Sequence, residues 1–238
     1  LTVFKDASDP LTGSNCYVFR AAGSYLGLSA TLNNSGQATF NLADGNYKFR
    51  IDYLGYQHWT DVYTVPTNLS GNLTIAHQNI KDAVSGIYQG SQPLTGVNVY
   101  LFTPSGSYLG RNQATDINGQ VSFNLPNKSY KVRADYLGSQ FWSAEFQFAD
   151  AAVNIQRGVA QITAKKAGNA MAGLIVYLFN EAGSYLGFNA TTNSEGKAEF
   201  LLPNKSYKFR MDEGGTQHWS SVTTITEGQI NPIEVLWD

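Results

Sequence analysis

Few groups in this chain are able to do chemistry, and a repeat governs where they fall. Histidine occurs at His58, His77 and His218. Acid–base catalysis or metal coordination needs such groups held at a fixed mutual distance. His58 and His218 occupy one repeated position, but its middle copy is Phe141, and His77 has no counterpart. A repeated metal or proton-transfer site is therefore not expected. Cys16 is the only cysteine, so no internal disulfide forms, and its copies Val99 and Val176 mark it as a small core hydrophobe rather than a nucleophile. Asp116-x-Asn118-Gly119 has the opening of a calcium loop, yet its copies lose the acids. No Ser-His-Asp or Cys-His set can be assembled in every copy. The expectation is no catalytic residue, no cofactor, no metal and no enzyme activity.

What is repeated is better suited to contact. Gly-Ser-Tyr-Leu-Gly recurs from Gly23, Gly106 and Gly183, and its glycines place Tyr25, Tyr108 and Tyr185 at a loop edge where they can touch a ligand or plug their own unit. Next to the repeated Trp59, Trp142 and Trp219 stand His58, Phe141 and His218, further candidate contacts. The tryptophans themselves suit either stacking on sugar rings or anchoring a core. Trp142 shares strand parity with Ala144, Phe146 and Phe148, so the core or barrel-end role is expected.

The elements that position these residues follow from the repeat. Gly13–Trp59, Gly96–Trp142 and Gly173–Trp219 are three copies of one 47-residue segment, with 18 positions shared by all three. Tyr47, Phe49 and Ile51 alternate with Lys48, Arg50 and Asp52, and the later copies keep that register, which reads as a half-buried strand. Slipping it by one residue would bury three charges per copy. The charged faces read as solvent-exposed, with a docking stripe for a neighbouring chain as the minority reading. Turns at Asn34-Ser35-Gly36 and its copies, and at Ala43-Asp44-Gly45 or Leu-Pro-Asn-Lys, bound the segment from Ala38 to Leu42 and its counterparts. Short apolar runs at Leu1–Phe4, Cys16–Phe19 and Leu73–Ala76, each with copies, complete a tally of seven strands per unit and no helical period.

The expected fold is all-β: three tandem seven-stranded antiparallel immunoglobulin-like or prealbumin-like β-sandwiches, over residues 1–80, 81–157 and 158–238. The joints near Gln78–Ala83 and Gln156–Gly158 contain no spacer composition, which predicts a semi-rigid rod. A unit of about 80 residues needs large side chains to build its core. The 13 Phe, 14 Tyr and 4 Trp supply them.

Bulk properties narrow the partners. A net charge of -2 without a Lys/Arg cluster disfavours nucleic acid. No apolar run reaches the roughly 20 residues that span a bilayer, so no membrane insertion is expected in this segment. Asn-x-Ser/Thr sequons at Asn33, Asn68, Asn72, Asn127, Asn189 and Asn204 permit glycosylation on an exported protein. The start at Leu1, with neither Met nor signal peptide, reads as a processed protein or an excerpt.

The order Gly13, Thr31, Gly36, Phe40-x-Leu42, Tyr47, and in the second copy Gly96, Thr115-Asp116, Gly119, Phe123-x-Leu125-Pro126, Tyr130, resembles the carboxypeptidase regulatory-like domains. These are similar to transthyretin and to the B-type repeats of bacterial collagen adhesins. The resemblance implies a non-catalytic sandwich, often arrayed in exported bacterial surface proteins. Such modules sometimes carry Lys-Asn isopeptide crosslinks promoted by a buried acid. Here Lys48, Lys131 and Lys208 point outward by parity and no copied Glu points inward, so none is expected.

Two functions follow as expectations. The first is an extracellular or cell-surface structural segment, a stalk, surface array or filament building block, whose partners are other copies of itself or neighbouring surface domains. The alternative is a multivalent adhesin that binds glycan or matrix protein through the Gly-Ser-Tyr-Leu-Gly loops. A third reading, an accessory region of a secreted enzyme, depends on sequence outside these residues.

Overall fold

The computed structural model describes residues 1–67 and 70–238; the sequon at Asn68 lies outside them. The described residues form an all-β chain without helices. Three separate clusters of buried side chains run along it, around Val18 and Ile51, around Leu101 and Leu125, and around Leu178 and Phe209.

One five-stranded sheet recurs in each copy. In the first, Asn15–Arg20 lies between Tyr25–Thr31 and Gly45–Tyr53, and Gly45–Tyr53 also pairs with Tyr56–Trp59 and Tyr63–Val65. The two-residue alternation sets its faces: Tyr47, Phe49 and Ile51 are buried, while Lys48, Arg50 and Asp52 are not. Behind it lies the sheet made by the first and last strands of each copy. These pair in parallel: Thr2–Phe4 with Asn72–Thr74, Asp82 to Ile87 with Ala151 to Gln156, and Val159 to Lys166 with Ile230–Trp237.

The wholly antiparallel sandwich expected from sequence therefore needs correction. Parallel partners lie about 70 residues apart in the chain, and no hairpin signal announces such a contact. The consequence is directional, because each copy begins at one end and finishes at the other. Single unbroken strands, His77–Ile87 and Ala151–Lys166, carry the backbone across the expected joints.

The segment 38–42, expected as a strand, joins no ladder beyond the Thr2–Gln37 bridge, whereas its copies Gln120–Pro126 and Lys197–Pro203 are full strands. Gln120–Pro126 pairs along Ala83 back to His77, and Lys197–Pro203 along Thr163 back to Arg157, whereas in the first copy the Leu1 nitrogen donates to the Ala38 carbonyl at 2.9 Å. Short pairings at Ser91–Pro93 and Asn169–Ala170 add to the expected strand tally in the second and third copies.

Candidate functional site

The outer face of each five-stranded sheet carries an aromatic strip clamped by one arginine. In the first copy Phe19 packs at 4.7 Å from Trp59 and 5.2 Å from Tyr25, ring centre to centre, and Tyr17 packs against Tyr25 at 6.0 Å. The Arg50 guanidinium lies 4.6 Å from the Tyr17 ring centre and is held by Asp52 at 2.8 Å. The same arrangement recurs with Arg133, Asp135, Phe102, Tyr108 and Trp142, and with Arg210, Asp212, Phe179, Tyr185 and Trp219. Tyr25 is 48% exposed and Trp59 42%, and the later copies are within a few percent of these values.

The tryptophans are thus not core anchors, which overturns the expectation from parity. The rhythm is broken directly after each of them by a hydroxyl residue. Ser143 Oγ accepts from the Val132 amide at 3.0 Å and donates to the Ala144 carbonyl at 2.7 Å, and Thr60 and Ser220 do the same. The strand ends there and resumes as Phe146–Gln147, so Trp142 faces solvent while Phe146 is buried. The three tyrosines sit at a loop edge, each as the first residue of its strand.

His58 and Phe141 lie where one copy meets the next. His58 is half-buried, and burial, with help from the nearby Lys128 and His77 side chains, pulls its pKa down to about 4. Lys128 reaches over the Tyr56 ring at 5.7 Å, and Lys205 reaches over Phe141 at 5.9 Å. His218, at the far end, stacks on Trp237 at 4.3 Å.

The hairpins beside these residues make the junctions. Tyr56 donates its hydroxyl to the Ser129 carbonyl, and Arg111 Nη2 donates to the Tyr53 hydroxyl at 3.2 Å. Leu54 and Leu137, both in the left-handed region with φ of 47° and 48°, pack against the buried cluster of the following copy. That conformation is unfavourable for a branched side chain and is tolerated where packing compensates. At the free end of the third copy the equivalent residue is Gly214, which adopts φ 55° without a side chain to strain. Leu109 and Leu186, the leucines of Gly-Ser-Tyr-Leu-Gly, receive these turns: a Cβ on Gly55 would come within 2.8 Å of Leu109 Cδ2.

Two buried charges were not visible in the sequence. Asp82 is fully buried, and burial pushes its pKa up to about 7. Arg157 lies over Gly86, with Nη2 donating to Gln92 Oε1 at 3.0 Å. Both belong to the joint strands, and neither is copied, so a search for repeated chemistry passes over them. Burial likewise drives Cys16 up to about 12, an inert thiol. The Asp116 carboxylate accepts from the Asn118 and Gln120 amides at 2.8 Å, as Asn33 and Asn193 do in their own turns, so this motif closes a turn. Among the described residues no cluster of His, Cys, Asp and Glu is placed to hold a metal ion, and no helix is long and apolar enough to cross a membrane.

No family model matches the chain, and no curated protein sequence matches it. Among solved structures the chain is similar to the TIE protein of Bacillus anthracis, with 18% identity over 98% of this chain and 49% of that one, at a TM-score of 0.30. It thus spans about half the length of that protein. It is also similar to the minor pilin of Streptococcus agalactiae, with 13% identity over 66% of this chain and 95% of that one at a TM-score of 0.37. The major pilin subunit of Bacillus cereus follows, with 13% identity over 98% and 97% at 0.28. Likenesses this distant carry no argument about function.

Proposed function

We propose that this chain is a non-catalytic structural segment of an extracellular or cell-surface protein, a stalk, surface array or filament building block. In this reading residues 1–80, 81–157 and 158–238 are three tandem β-sandwiches of the carboxypeptidase regulatory-like type, and the partners are further copies or neighbouring surface domains. The observation that carries it is the backbone path. First and last strands run parallel in every copy, and one unbroken strand continues into the next, so each copy adds length. The Leu54 and Leu137 turns seated on the next copy stiffen the joints. Small-angle scattering tests this: an extended envelope of three beads with little bending is expected, and a compact globule overturns it.

A second reading, multivalent binding of glycan or matrix protein, is favoured by the exposed strip of Tyr25, Trp59 and their copies. Aromatic faces held rigid by an arginine suit planar apolar surfaces such as sugar rings. Glycan and matrix arrays with Tyr25, Tyr108 and Tyr185 changed together to Ala test it; retention equal to the parent protein removes this reading.

A further inference from the structure

Each aromatic strip carries one more positive group than it neutralises. On the outer face of the first copy the ladder sets Lys48 opposite Phe19, and Arg50 between Tyr17 and Trp59. Arg50 is held by Asp52, so its charge is met within the strip. Lys48 lies two residues away on the same face, and among the described residues no carboxylate pairs with it. The copies repeat the imbalance. Arg133 is held by Asp135 and Arg210 by Asp212, while Lys131 opposite Phe102 and Lys208 opposite Phe179 have no such partner among the described residues. The amine also has an exposed ring beside it: Lys48 and Trp59 line one solvent-open cleft of about 310 Å³, together with Thr60 and the turn Ala21-Ala22-Gly23. At the position of Ala21 the second copy has Pro104, and the third has an acid, Glu181.

We propose that this cleft is a subsite for an acidic sugar ring, a hexuronate unit of an unbranched polysaccharide. The proposal rests on the binding reading of the strip and narrows its ligand. A sugar ring stacks on the exposed face of the Trp59 indole. A hexuronate carries its carboxylate directly on that ring, so the charge stands at a fixed distance from the stacking face and is presented to the unpaired Lys48 amine. That ion pair is stronger than the hydroxyl contacts a neutral sugar offers in its place. An acidic peptide matches the charge but brings no rigid ring for the indole, which favours the polysaccharide. The copies are graded: Glu181 repels the ligand's carboxylate in the third cleft, whereas Ala21 and Pro104 do not.

Indole N–H resonances of the 238-residue protein test it, with Trp237, which stacks on His218 away from the strips, as internal reference. Titration with polygalacturonate should shift Trp59 and Trp142 first, Trp219 at higher concentration, and Trp237 not at all. Fully methyl-esterified polygalacturonate has the same rings without the charge and should bind roughly three- to tenfold more weakly, the worth of one part-buried ion pair. Changing Lys48, Lys131 and Lys208 together to Gln should erase that preference and leave Tm unchanged, since their amines have no partner among the described residues; Arg at the three positions should keep the preference. Glu181→Ala should bring Trp219 level with the other two. Equal binding of acid and ester by the parent protein overturns the inference and leaves the wider glycan reading standing. Indoles unmoved by both polymers overturn it as well, and the arrays described above then judge the wider reading alone. Poly-glutamate matching polygalacturonate in these shifts overturns it in favour of an acidic protein partner.

Discussion

Gly55 and Leu109 are in contact across the first junction, with no room for a methyl group between them, since a Cβ on Gly55 would stand 2.8 Å from Leu109 Cδ2. Gly215, the same residue in the third copy, has nothing within 4 Å of that position, and both glycines have positive φ. Alanine at either site strains the turn by about 1 kcal/mol. Only at Gly55 does it also press on a neighbour, at a further 1–3 kcal/mol or so. Gly55→Ala should therefore lower stability more than Gly215→Ala and loosen the first joint, readable by denaturant melts and by scattering.

Asp82 predicts an unusual dependence on pH. Its carboxyl is raised from 3.8 to about 7, so the folded chain binds a proton more tightly than the unfolded one. The burial penalty is absent below the unfolded value, grows as pH rises, and is complete above about 7. Asp82's own contribution should fall between about pH 4 and 7 by an amount on the order of 2–4 kcal/mol, offset in part below pH 6.5 by His58. Asp82→Ile, which copies the buried Ile162, should flatten that profile and raise Tm at pH 8.

His58 acts in the opposite sense over an overlapping range. With its folded value lowered to about 4 from 6.5, its contribution is intact above 6.5 and is lost as pH falls toward 4. His58→Phe, the residue found at position 141, should make the protein more resistant to acid between those limits, checked by melts at pH 4.5 and 7.5.

Changing Trp59, Trp142 and Trp219 together to Ala should leave a folded protein, because each is more than 40% exposed. A single change of Phe123, 5% exposed, to Ala should cost about 3–5 kcal/mol. Circular dichroism with melting separates the two; an unfolded triple variant would mean that the strip carries the core after all.

Strand faces were legible in the sequence wherever alternation ran unbroken, as through Tyr47–Asp52, because a two-residue period leaves no second register. Reading failed at Trp142, where the Ser143 hydroxyl takes over a backbone bond and resets the rhythm; the hydroxyl residue after each Trp marks the site, but two-residue alternation does not register it. Parallel pairing of terminal strands was illegible for another reason: it depends on partners distant in the chain, which periodicity does not encode. Gly-Ser-Tyr-Leu-Gly left Tyr25, Tyr108 and Tyr185 open to two roles, contact or plug, and they are 48%, 46% and 48% exposed. Asp82 and Arg157 escaped notice because a search for copied residues discards singular ones.

The parallel terminal strands also decide how the molecule bears a pull. Tension between Leu1 and Asp238 runs along the axes of Thr2–Phe4, Ala151–Lys166 and Ile230–Trp237, so their cross-strand hydrogen bonds are sheared side by side instead of being peeled open in turn. Bonds sheared together must break nearly at once, and a tether built on that geometry yields only at high force.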